Sequence, residues 1–208
     1  MTSMFWLILL ILSAIKGFQV SYVWNYIVNG TEIKMVSHGD KTFIASALIT
    51  AFVYAITAIL SNDNLDIIGT IDLLAVCVLV SFTDIKHRHI PNVVILLLLV
   101  SQLTILACHS GVDGFLNVIW CIVVLVIAML ISILSKGQMG MGDVKLLSII
   151  CLTIGIAGLF WVFITALALS FLCGMYLMLS KKMSIKTEMP FAPFITLSLL
   201  INIITNIL

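Results

Sequence analysis

The feature that most constrains this chain is a succession of apolar runs close to the length a helix needs to cross a bilayer. They lie at about 4–28, 43–60, 67–83, 92–108, 115–134, 158–179 and 191–208, against the roughly 17 to 25 residues such a crossing takes. Hydrocarbon offers no partner for backbone amides and carbonyls, so a segment this apolar has to close its hydrogen bonds within itself, as a helix. Hydrophobic residues fill 62% of the 208 positions and charged residues 9%, where a soluble domain carries about 25% charged. A water-soluble fold is excluded. The net charge of +1 gives neither a basic field for nucleic acid nor an acidic solvating tail, so the partner that composition implies is the lipid bilayer.

Cys77, Cys108, Cys121, Cys151 and Cys173 lie in apolar stretches without C-x-x-C spacing. They read as small buried hydrophobes, with no zinc site or disulfide framework. The run at 4–28 has no basic region before it and no small-residue cleavage site after it, so it is expected to remain as a membrane helix. No linker or repeat divides residues 1–208, and a single all-α membrane domain is expected.

Charge sets orientation, because Lys and Arg in short loops collect on the cytoplasmic side. Residues 144–179 are too long for one crossing, and Gly155 and Gly158 offer a break. Splitting there gives about eight helices, and with the N-terminus outside, every Lys and Arg except Lys16 then falls on the cytoplasmic face. The segment from 144 to about 156 would reach only ~20 Å, short for a crossing.

On this topology two carboxylates meet the same boundary. Asp84 closes the third span in Ser81-Phe-Thr-Asp-Ile-Lys-His-Arg-His-Ile-Pro-Asn92, and Asp143 opens the sixth in Gly140-Met-Gly-Asp-Val-Lys145. Two carboxylates at equal depth, far apart in sequence, are what a general acid–base dyad acting on water requires. Each also has a plainer reading. Asp143 before an apolar run suits a helix N-cap. Asp84 sits at a helix C-terminus, the wrong end of the dipole, so solvent or Lys86 and Arg88 would have to satisfy it.

Gly140 and Gly142 allow a tight turn or the close passage of another chain, or else a merely flexible loop. Pro91 ends the preceding turn and Asn92 is available to cap the fourth span. His87 and His89 read as exposed polar residues; no metal is assigned and no cofactor is expected. Lys145 is either a partner for Asp143 or substrate, or a cytoplasmic anchor. Lys16 and Asp72 fall inside spans, where ionisable groups are costly and face the bundle interior or snorkel.

Three segments together resemble the prepilin peptidases, the A24-type membrane aspartyl proteases that trim leader peptides from type IV pilins and pseudopilins. They are Asp84-Ile-Lys86 with Ile90-Pro91-Asn92, the G-x-G-D-x-K of Gly140 to Lys145, and Pro190-Phe-Ala-Pro193-Phe194. The resemblance covers about residues 67–200. It implies an eight-helix bundle in a prokaryotic cytoplasmic membrane, with Asp84 and Asp143 as the catalytic pair and Gly140, Gly142, Lys145, Lys86, Pro91, Asn92, Pro190 and Pro193 as motif or substrate-binding residues. It also implies a prepilin or pseudopilin substrate, with a basic leader and an apolar helix, cut after a glycine at the cytoplasmic face. Larger members carry two C-x-x-C pairs and a second, N-methyltransferase activity; this sequence has no such pairs, and methylation is not expected of it. A homodimer is compatible with the sequence and not required by it.

From another class, a small ion-coupled transporter or channel would use Asp72, Asp84 and Lys16 as a proton or ion path. The grouping of the informative acids at one face, and the absence of inverted repeats, weigh against it. A presenilin-like G-x-G-D protease would account for Asp143 but not for the Ile-Pro-Asn and Pro-Phe-Ala-Pro segments.

Overall fold

The computed structural model describes residues 12, 15–20, 22–23, 26, 65–108, 112–135, 140–180 and 189–207. The expected span at 43–60 lies outside these residues, as do the connections bearing Lys34, Lys41, Lys136, Lys181, Lys182 and Lys186.

Every described element is a helix. After helical N-terminal residues at 12, 15–20, 22–23 and 26 come α1 (Leu65–His87), α2 (Asn92–Cys108), α3 (Val112–Leu134), α4 (Met141–Leu179) and α5 (Ala192–Ile207). Among the described residues, three stretches are long and apolar enough to cross a membrane: Ile67–His87, Gly114–Leu134 and Met141–Leu179. Two shorter apolar helices, Asn92–Ala107 and Ala192–Thr205, accompany them. The third span therefore runs past the expected position 83, and Asp84 lies inside its last turns. Arg88, at φ 51, takes the left-handed conformation that stops it, its amide bonded to the carbonyl of Asp84 at 2.9 Å.

The 39 residues of α4 would reach about 58 Å as a straight helix, nearly twice a bilayer core. Gly155 breaks it, at φ 73 and ψ 175, a conformation that L side chains rarely adopt. The two halves are buried differently. Before the break, every residue from Leu146 to Leu152 is buried, so this short helix is surrounded on all sides. Beyond it only Leu159, Val162 and Ala166 are buried, one stripe at near-helical spacing, while Phe160, Trp161, Phe171 and Tyr176 are exposed. The shortness that troubled the sequence reading of 144–156 has a physical reason: a helix enclosed by other helices need not match the lipid thickness.

One apolar core joins the parts, with Leu73, Val76 and Val80 of α1, Val94 and Leu98 of α2, Ile150 of α4 and Ile195 and Leu199 of α5 all buried in it. Between membrane helices lipid removes the usual hydrophobic drive, and packing and interhelical hydrogen bonds hold the contacts. α1 and α5 are tied in this way: Ser81 Oγ and Thr196 Oγ1 lie 2.6 Å apart, and Thr196 Oγ1 donates to the Cys77 carbonyl at 3.0 Å.

Lys16 and Asp72 settle each other. Lys16 Nζ lies 3.0 Å from Asp72 Oδ2, with both side chains almost fully buried. The same oxygen accepts from Ser101 Oγ at 3.0 Å and Gln102 Nε2 at 2.9 Å. Gln19 Nε2 donates to the Val94 carbonyl at 3.0 Å. Neither ion snorkels; the pair fastens the N-terminal helical residues to α1 and α2.

Candidate functional site

The three motif segments, distant in sequence, meet at one end of this bundle. Asp84 is buried near the C-terminus of α1, where its own helix offers no amide to its carboxylate. α5 does. The amide of Ala192, its first helical residue, donates to Asp84 Oδ2 at 3.1 Å, and the amide of Phe191 also bonds the carboxylate. A helix N-terminus leaves such amides unpaired and carries the positive end of the dipole, so it holds a carboxylate well. Pro193, next in the first turn, has no amide to leave unpaired. The Pro190-to-Phe194 segment thus acts on Asp84 through its backbone, and neither Pro190 nor Pro193 lines the cavity described below.

The Gly140-to-Lys145 segment meets the Ile90-Pro91-Asn92 segment side by side. A Cβ placed on Gly142 would come within 2.9 Å of Ile90 Cβ, so only glycine lets α4 approach the turn after α1 so closely. One turn on, Lys145 Nζ donates to Asn92 Oδ1 at 2.8 Å. Two capping expectations change here. Asn92 does not cap α2, because the Pro91 carbonyl accepts the first-turn amides of Val94 and Ile95, which leaves the Asn92 side chain for Lys145. Asp143 is not the cap of α4: the cap is Gly140, and Asp143 sits in the first helical turn with Oδ1 buried and unpartnered among the described residues.

Asp84 and Asp143 line the same cavity, of about 220 Å³. Gly140, Gly142, Asn92 and Lys145 line it too, whereas Lys86 is exposed on α1 and does not. Arg88, which the sequence offered only as a possible partner for Asp84, and His89, which it left as an exposed polar residue, are part of the wall. Their signal was the left-handed turn at Arg88, which sequence does not announce for an arginine. With Arg88 and Lys145 the cavity sets two cations against two carboxylates. It joins a carboxylate fixed by amides to one with a free buried oxygen, an arrangement suited to activating a water.

The sequence model of the Type IV leader peptidase family matches residues 71–179, just over half of the chain. The prepilin leader peptidase/N-methyltransferase of Bacillus subtilis (strain 168) is 25% identical over 154 residues, covering 73% of this chain and 61% of that protein. The match thus spans less than two thirds of the relative's length. No solved structure matches the chain.

Proposed function

We propose that this chain, which belongs to the type IV leader peptidase family, is an aspartic endopeptidase. In this reading it removes the N-terminal leader of a type IV prepilin or pseudopilin at the cytoplasmic boundary of a prokaryotic membrane, with Asp84 and Asp143 as its catalytic pair. The observation that carries the reading is the single cavity lined by both carboxylates.

A water held between them loses a proton to one carboxylate as it attacks the scissile carbonyl, while the other, protonated, donates to the carbonyl oxygen. Neighbouring carboxylates favour the singly protonated pair that this needs. The titration then belongs to the pair rather than to either residue. No covalent acyl intermediate forms. The amide of Ala192 holds Asp84 by Oδ2, and the unpartnered Oδ1 of Asp143 offers the water a contact. The proposal covers leader removal and does not extend to N-methylation.

The experiment is co-expression with a prepilin, following leader removal as a shift in electrophoretic mobility for the unaltered chain, Asp84→Asn and Asp143→Asn. Processing is expected from the unaltered chain and from neither variant. Full processing by either variant would remove that aspartate from the mechanism.

A further inference from the structure

A second cavity adjoins the first. It has a volume of about 570 Å³, and apart from Asn92, Lys145 and Ser148 its lining is apolar or cysteine. Its walls are Val93, Leu96 and Leu103 on α2 and Val118, Ile122 and Leu125 on α3; Ile149 and Leu152 of the central α4 half form its floor. Asn92 and Lys145, joined by their 2.8 Å hydrogen bond, line both cavities.

Its shape follows from how α2 and α3 are packed. Although consecutive, they do not pack along each other; each packs on α4. They converge at the end nearest their connection, where a Cβ on Gly114 would meet Leu106 Cδ1 at 2.9 Å. Away from that contact an apolar groove lies between the two helices, from Leu103 to the Asn92–Lys145 lip that it shares with the cavity of the two carboxylates. From Leu103 to Asn92 it is about 16 Å long, the length of some eleven helical residues. Its wall residues are open to the surroundings, Leu96 at 59% and Ile122 at 56%.

We infer that this groove docks one face of an apolar α-helix of the substrate, with the segment to be cleaved passing over the Asn92–Lys145 lip to Asp84 and Asp143. The inference rests on the peptidase reading above and adds to it which surface selects the substrate. A peptide lying among apolar walls at membrane depth has to satisfy its own backbone, so the docked part is a helix. A helix cannot be cut while its carbonyls are engaged in hydrogen bonds. The change of lining from apolar groove to polar cavity at Asn92 and Lys145 is where an extended segment would begin. Selection therefore acts through the apolar helix, and the lip sets how far from its end the cut falls.

The test uses the full chain in membranes with a prepilin as probe. A photo-crosslinking residue is placed at Leu96 or Ile122, and for comparison at Phe160, which is 65% exposed on the other half of α4. The Asp143→Asn variant carries the crosslinker so that substrate persists. Adducts from Leu96 and Ile122 to the apolar segment of the prepilin, at least about tenfold above Phe160, are expected. Separately, Leu96→Trp and Ile122→Trp, which fill the groove, should raise KM for leader removal about tenfold, while Phe160→Trp leaves it unchanged. Adducts to residues 43–60 of this chain, or to lipid only, would overturn the docking inference, as would tryptophan variants with unaltered KM. If the unaltered chain processes the prepilin while these probes miss it, the inference alone falls. If the unaltered chain does not process it, the peptidase reading falls first.

Discussion

Asp84, on the last turns of α1, is held by the amide of Ala192, the first residue of α5, at 3.1 Å and across 108 positions of sequence. A carboxylate that meets the unfavourable end of its own helix dipole is thereby given the favourable end of another. The contact fixes the carboxylate in place, which is what a residue that must exchange a proton with a positioned water needs.

Replacing the two aspartates probes whether they act as a unit. Asp84→Asn and Asp143→Asn should each lower leader removal by roughly 10²- to 10⁴-fold, the usual span for losing a general acid or base. The double variant should be little worse than either single one, because residues that act together do not contribute additively. Rates of prepilin processing, with monodispersity in detergent as the check on folding, measure this.

Ala192→Pro removes the amide that holds Asp84. Proline is tolerated at the first helical position, so α5 should persist, but the ring occupies the path of the hydrogen bond and displaces the carboxylate. A hydrogen bond to a charged group is worth about 1.5 to 3 kcal/mol, so processing should fall roughly 10- to 150-fold. Activity at the level of the unaltered chain, in a folded variant, would show that the α5 amide does not position Asp84.

Gly142→Ala sets two effects against each other. Within a helix, alanine is ordinarily favoured over glycine by roughly 0.5 to 1 kcal/mol. Here its Cβ would lie 2.9 Å from Ile90 Cβ, 3.1 Å from Cδ1 and 3.2 Å from Cγ1. Overpacking of this kind costs about 1 to 3 kcal/mol, so steric strain wins, Asp143 shifts and processing falls. Adding Ile90→Ala removes the Cδ1 and Cγ1 contacts but keeps Cβ, so recovery should be partial. The melting temperatures and processing rates of the three variants test the contact.

The Lys16–Asp72 pair separates a structural role from an ion path. Removing one partner of a buried pair leaves an uncompensated charge and costs about 3 to 5 kcal/mol. Lys16→Met alone should therefore unfold far more readily in detergent than Lys16→Met combined with Asp72→Asn. The double variant should still process prepilin. Solute uptake that depends on Asp72 would instead favour a transporter.

Much of the architecture was legible because it is local. Apolar run length decides that these segments are membrane helices, whatever surrounds them. Gly155 was readable as a break because a run too long for one crossing contained a residue suited to interruption. Asp84 and Asp143 were findable because each stands at the end of an apolar run beside unusual neighbours: Ile-Pro-Asn, and a pair of glycines.

What only the tertiary structure decided is how helices lie against each other, since hydropathy records that a side chain is buried but not against what. It brought Ala192 to Asp84, Ile90 to Gly142 and Asn92 to Lys145, and so gave one cavity its walls, Arg88 and His89 included. It also paired Lys16 with Asp72, two residues that in sequence were merely costly. The sequence alone determined a helical membrane protein with two informative carboxylates. Their shared cavity depended on helix crossings set by small contacts such as the missing side chain of Gly142, which no single segment encodes.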